Sequence, residues 1–255
     1  MKAALVTGSA RRLGRGIALR LAQEGYFTFI HYRTSPGEAK STLQALKKLG
    51  GKGALIQGDL GSPADIKRLV ATVRKKTGRL DVLVNNVGVY KPGPLLKYSP
   101  EDFETTLRLN LSSCFRLIQE ALPLFPASGG SIINIGYAGV ENITGTTHNT
   151  AYLISKSGLL ILTKSLAQAL GSRHIRVNMV SPGILSNSVE LPESAKDWVP
   201  LGRLGTVEDV AEAVAFLAGK KADYITGVNL DISGGYHLNL RSLETDRKKG
   251  KSRRR

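Results

Sequence analysis

The sequence predicts an α/β fold: one three-layer, doubly wound domain with a parallel sheet of about seven strands. Three observations predict it. Short apolar runs alternate with longer stretches of helical periodicity as far as residue 240. Glycine-bearing turns follow directly on several of the apolar runs. No internal repeat and no linker-like segment interrupts the series.

The elements read in order as follows. Ala3–Thr7 is a short apolar run that stops at glycine, hence a strand. Leu13–Glu24 carries Leu13, Ile17 and Leu21 on one face, hence a helix. Phe27–Tyr32 reads as a strand, Pro36–Leu49 as a helix closed by Gly50-Gly51, Gly53–Gln57 as a strand and Pro63–Lys76 as a helix. Leu80–Asn85 is a buried strand, and Pro100–Phe125 is one long helix or two. Ser131–Ile135 is a strand and Ala151–Leu170 a helix. Ile175–Val180, Val207–Leu217 and Val228–Ile232 complete the set as strand, helix and strand. Right-handed crossovers then place helices on both faces of the sheet.

Composition sets limits. At 255 residues and 42% hydrophobic, the chain can bury a sizeable core. No apolar run reaches the ~18 residues of a membrane span. The N-terminus reads as a strand rather than a signal peptide. Cys114 is the only cysteine, so no intrachain disulfide can form; a buried thiol and a cytoplasmic setting are expected. The net charge is +16. Residues 241–255 hold eight Lys/Arg against Glu244 and Asp246 and few apolar side chains, and read as a basic, flexible tail. Such a tail would suit nucleic acid, an anionic membrane or an acidic partner, but a solubilising or incidental extension is the preferred reading. His31, His148, His174 and His237 show no metal-ligand spacing, so no metal is expected.

Tyr152 and Lys156 stand four positions apart at the start of the longest apolar segment. On a helix they share a face. A cation beside a phenol favours the phenolate, so the Tyr152 pKa is expected to fall below its usual value of about 10. That would make Tyr152 a general acid or base.

In a doubly wound sheet, ligands bind beyond the carboxyl ends of the strands. The segment T7-G-S-A-R-R-L-G14 lies there, between the first strand and first helix. Gly8 permits a tight turn, Gly14 permits close helix–strand packing, and the helix N-terminus offers N–H groups to a diphosphate. This is the Rossmann-type arrangement for a dinucleotide. Beyond the second strand stand His31, Tyr32, Arg33, Thr34 and Ser35, with no carboxylate to hold the ribose hydroxyls of NAD. Arg12 and Arg33 could clamp a 2′-phosphate, with hydroxyl bonds from Thr34 or Ser35. NADP(H) is the expected cofactor.

These residues, with N85-N-V-G88, Asp59-Leu60, S181-P-G183 and the N229-L-D-I-S-G-G235 segment, resemble the short-chain dehydrogenase/reductase family over residues 1–238. Arg12 in place of the family's middle glycine is similar to the pteridine reductase branch, as is H31-Y-R-T-S35. The resemblance implies cofactor contacts at Gly8, Leu13, Gly14, Asp59, Leu60, Asn86, Gly88, Pro182, Gly183 and Ile184. It also implies catalysis by Tyr152, Lys156 and Asn110. Tyr152 would donate the proton, Lys156 would assist it and hold the nicotinamide ribose, and Asn110 would anchor a water that relays protons.

One position departs from the family. N134-I-G-Y137 puts Tyr137 where the family has a catalytic serine, and the interval to Tyr152 is two residues longer than the usual one. Tyr137 takes the serine's role, or walls the pocket while Thr146, Thr147 or His148 makes the polar contact, or the step is dispensable. Tyr90 falls where pteridine reductases stack an aromatic on the pterin, and Ile184–Pro200 is expected to form a lid.

The expected function is hydride transfer to a C=O or C=N group of a small-molecule, pterin-like substrate. The alternatives are 3-oxoacyl-acyl-carrier-protein reduction and a non-catalytic nucleotide- or nucleic-acid-binding protein. The resemblance also implies a homotetramer built through the helices at 100–125 and 151–170.

Overall fold

The computed structural model describes residues 1–188, 191 and 193–238. Val189 and Glu190 of the expected lid, and the basic tail 241–255, lie outside the described residues.

Seven strands form one parallel sheet in the order β3-β2-β1-β4-β5-β6-β7. They are β1 (Ala3–Val6), β2 (Phe27–Tyr32), β3 (Gly53–Gln57), β4 (Val82–Asn85), β5 (Gly130–Ile135), β6 (Ile175–Pro182) and β7 (Asn229–Ile232). The helices are α1 (Arg12–Gln23), α2 (Pro36–Lys48), α3 (Pro63–Thr77), α4 (Pro100–Leu107), α5 (Ser113–Ala121), α6 (Thr150–Leu170) and α7 (Val207–Ala218).

Side-chain alternation along the strands builds a core on each face. Ala4 and Val6 of β1, Val82 and Val84 of β4, and Ile133 and Ile135 of β5 meet Ile17, Leu21, Val210 and Val214 of α1 and α7. Ala3, Leu5, Leu83 and Ile132 point the other way, toward Ile66, Leu69, Leu117 and Ile118 of α3 and α5. Both faces of the central strands are therefore apolar, which is why these strands read as continuous hydrophobic runs.

The segment 100–125, expected as one helix or two, contains two. They are joined by a π-helical stretch, Arg108–Ser112, that contains Asn110. Such π insertions carry one extra residue in the turn and recur at functional sites. The strand order reverses between β1 and β4, and every loop that bears a candidate site residue leaves a carboxyl end of the sheet.

Candidate active site

At the reversal point two loops are bolted together by one hydroxyl. The Thr7 Oγ accepts the backbone N–H of Asn86 (2.9 Å) and of Val87 (3.0 Å), and donates to the Val84 carbonyl (3.2 Å). The Asn86 amide answers by donating to the Thr7 carbonyl (2.8 Å). Gly14 lets α1 approach this junction: a Cβ there would stand 2.3 Å from the Gly8 carbonyl oxygen. The result is a cradle of about 300 Å³ lined by Gly8, Arg11, Arg12, Leu13, Gly14, Asn86, Val87 and Gly88.

The N-terminus of α1 fits an anion. Arg11 at the cap position makes no side-chain cap, and the first turn holds no acidic residue. Its N–H groups and dipole are left for a phosphate. Arg12 adopts a left-handed backbone, φ 51°. A glycine would accept that geometry freely; an arginine does so at a cost of order 1 kcal/mol. Its side chain borders both this cradle and the neighbouring cavity. Beyond β2, Arg33 lies 3.7 Å from Asp59 with both side chains well exposed, Thr34 is exposed, and Ser35 precedes α2. Leu60 is buried and Asp59 accepts the Gly61 N–H (2.8 Å).

The catalytic candidates lie one loop further on. Asn110 is fully buried. Its Oδ1 accepts the Val89 N–H (2.7 Å), and its Nδ2 donates to the Val89 carbonyl (3.0 Å) and the Ser155 hydroxyl (3.0 Å). It thus pins the loop after β4 to α6. Ser155 is a residue that the sequence reading did not single out. The Lys156 Nζ donates to the Ile135 carbonyl (2.6 Å), in the crevice between β5 and α6, and lies 5.8 Å from the centre of the Tyr152 ring. Burial lowers its pKa to about 8.

The expected fall in the Tyr152 pKa does not occur. Desolvation pushes it up, and Tyr137 and Tyr90 push it further. The helical spacing brings the ammonium to the Tyr152 ring but its hydrogen bond goes to the Ile135 carbonyl, and desolvation penalises the phenolate. Tyr152 holds its proton at neutral pH.

Tyr152 is enclosed by aromatic rings. The Tyr90 ring meets it edge-on with centroids 5.1 Å apart, and the Tyr137 ring is tilted at 5.8 Å. Tyr90 and Tyr137 also line a cavity of about 790 Å³, with Arg12, Gly88, Pro182, Gly183, Ile184, Ser188, Leu191 and Tyr236 among its other walls. Thr146, Thr147 and His148 do not line it; the carbonyls of Thr147 and His148 instead accept N–H groups of Leu95 and Gly93. Tyr236 was missed in sequence. It sits in a single 3-10 turn after β7, and no periodicity marks such a turn. Gly136, the residue before Tyr137, has no room for a side chain, since a Cβ there would stand 2.4 Å from the Ser181 hydroxyl.

A parallel sheet whose strand order reverses at a glycine-lined cradle, beside half-buried Tyr152 and buried Lys156 and Asn110, fits an oxidoreductase that works with a nicotinamide dinucleotide. A family model described as enoyl-(acyl carrier protein) reductase matches residues 8–237. The chain belongs to the short-chain dehydrogenase/reductase family. It is 36% identical over 244 residues to the 3-oxoacyl-(acyl-carrier-protein) reductase FabG of Staphylococcus aureus strain Mu50, covering 93% of this chain and 98% of the relative. It is 35% identical over 241 residues to FabG of Thermotoga maritima, covering 92% and 97%. Among solved structures it is similar to landomycin C-6 ketoreductase LanV with bound NADP and rabelomycin. There the TM-score is 0.85 at 34% identity, over 93% of this chain and 96% of that one. A Serratia marcescens short-chain dehydrogenase/reductase variant gives a TM-score of 0.87 at 36% identity, over 92% and 98%.

Proposed function

We propose that this chain uses NADPH to reduce a conjugated C=O or C=N group in a flat ring system, pterin-like or polycyclic. One observation carries the reading: the Tyr152 ring packs against Tyr90 and Tyr137, and those two rings with Tyr236 wall the adjoining cavity. Aromatic walls favour a planar partner by stacking and by area. Several of the structurally similar proteins were solved with NADP or NADPH, which agrees with the lack of a carboxylate after β2.

The roles divide among the residues. Gly8, Leu13, Gly14, Asn86 and Gly88 shape the diphosphate cradle, and Arg12 borders it. Pro182, Gly183 and Ile184 form the wall on the nicotinamide side. Arg33, Thr34 and Ser35 would hold a 2′-phosphate, for which Arg33 would leave its exposed Asp59 partner; such a surface pair is weak, about 1 kcal/mol or less. Asp59 and Leu60 flank the adenine. NADPH, when bound, supplies the hydride. Tyr152 gives its hydroxyl proton to the substrate heteroatom, and its raised pKa keeps that proton available for reduction. Lys156 then faces the resulting phenolate as a cation. Tyr137, which burial also keeps protonated, donates a hydrogen bond to the same heteroatom in the serine's place. Asn110 fixes the Val89 loop and supports Lys156 through a bridging water.

A 3-oxoacyl-carrier-protein substrate is the second reading, favoured by the FabG relatives and by the net charge of +16. A homotetramer is proposed through α5 and α6, which leave Phe115, Ile154 and Ile161 exposed. An NADPH-oxidation screen separates the two substrates. Dihydropterins, quinones and polycyclic ketones should exceed acetoacetyl thioesters about tenfold or more in kcat/KM. The reverse ranking sinks the planar-substrate reading.

A further inference from the structure

We propose that His31 is a positioning residue for the cofactor: a neutral imidazole strut that sets the spacing between the diphosphate loop after β1 and the adenine-side loop after β3. It rests on the dinucleotide reading and not on the identity of the substrate.

His31 is 2% exposed and lies near the end of β2, between the two loops. Its Nδ1 accepts the Gly8 N–H at 2.9 Å, and its Nε2 lies 3.0 Å from the Gly58 carbonyl oxygen. Those two partners leave one tautomer. A backbone N–H can only donate, so Nδ1 must present its lone pair; a carbonyl can only accept, so Nε2 must carry the hydrogen. A doubly protonated ring would set N–H against N–H at Gly8. Burial agrees, lowering the imidazole pKa to about 4. The backbone locks the same contact a second time, since Ser9 donates its N–H to the His31 carbonyl and its Oγ accepts the His31 N–H, each at 2.9 Å.

What the strut holds follows from the two peptides it grips. Gly8 has φ +62° and opens the cradle, so the bond at its N–H fixes the peptide plane that leads into the turn. Gly58 precedes Asp59 and Leu60, and Asp59 is tied a second time through its own N–H to Asp65 (2.8 Å). One ring therefore sets the distance between the walls that meet the diphosphate and the adenine. A ligand that spans both walls feels that distance; a substrate in the tyrosine cavity does not. Preorganisation of this sort shows in cofactor affinity rather than in the chemical step.

The test compares His31→Phe and His31→Asn with the unaltered enzyme. Phenylalanine fills the space and loses both bonds, and should raise the KM and Kd for NADPH about tenfold. Asparagine places Oδ1 near the Nδ1 position and keeps the Gly8 bond alone, and should raise both about threefold. The kcat at saturating NADPH and the substrate KM should stay within about twofold. An NADPH KM unchanged in the asparagine variant overturns the proposal, as does a fall in kcat at saturating NADPH. So does a lowered melting temperature with unaltered NADPH binding, since that marks a merely structural role. Nitrogen-15 NMR of histidine-labelled enzyme reads the tautomer without any substitution. Between about pH 5.5 and 8 it should show protonated Nε2 and bare Nδ1 at His31; the opposite tautomer or a charged ring overturns the proposal.

Discussion

The two halves of the sheet solve different problems. The β1–β2–β3 half shapes its ligand loops around backbone groups held by single side chains: the Thr7 hydroxyl accepts two N–H groups of the loop after β4, His31 accepts the Gly8 N–H, Gly8 turns, and the end of α1 is left uncapped. The β4–β7 half works through side chains drawn from distant loops: Tyr90, Tyr137, Tyr152 and Tyr236 converge from four separate segments. A dinucleotide is a constant partner that backbone can recognise, and a substrate is the part that a family can vary. The difference teaches that affinity for the cofactor and chemistry on the substrate can be broken separately.

The largest effect tests that separation directly. Tyr152→Phe removes only a hydroxyl and should lower kcat by about 10²–10⁴, the usual scale of a general acid. NADPH binding, measured by fluorescence titration, should change less than about twofold. A comparable loss in NADPH binding would show that the halves are not separable.

Next in size is the pH profile. Lys156 has its pKa lowered from 10.5 to about 8 by burial, so the ammonium that faces the phenolate is present below pH 8 and lost above it. In the ligand-free enzyme kcat/KM should be flat toward pH 7 and fall about tenfold per pH unit beyond 8. The unfolded chain keeps this proton until about 10.5, so between 8 and 10.5 it binds more protons than the native state. Folding stability from this group therefore rises with pH across the window in which activity falls. A thermal melt at pH 9 distinguishes the two causes.

Much of this contrast follows the range over which each feature is encoded. The turn after β1 was legible because it is one contiguous strand–turn–helix, T7-G-S-A-R-R-L-G14, and every strand was located within two residues. The substrate half was only partly legible. Tyr152, Lys156 and Asn110 do converge around the loop after β4, but Tyr236 joins them through a turn of three residues. The direction of the Tyr152 pKa was misread because spacing counts neighbours and not desolvation. The sequence says of His31 only that it lacks metal-ligand spacing, because its partners, Gly8 and Gly58, lie 23 and 27 positions away. Its two bonds exist only after the sheet has formed.

A smaller effect sharpens the substrate side. Tyr236→Ala should cost planar substrates about tenfold in kcat/KM, the worth of one aromatic contact, and thioesters little. Equal loss on both classes would mean that Tyr236 supports the fold of the last turn. Its ring would then not discriminate between substrates.

The smallest effect concerns the residue shared by both halves. Arg12 keeps φ at 51° and borders both the cradle and the cavity. Arg12→Gly relieves the backbone but frees the unfolded chain, and these terms oppose each other at about 1 kcal/mol apiece. The melting temperature should therefore move by no more than a few degrees. Binding should change on both sides: a higher KM for NADPH, because a cation leaves the cradle, and a higher KM for substrate, because a wall retracts. A rise confined to the cofactor would assign Arg12 to the first half alone. A rise confined to the substrate would leave diphosphate recognition to the N–H groups of α1, as its uncapped first turn permits.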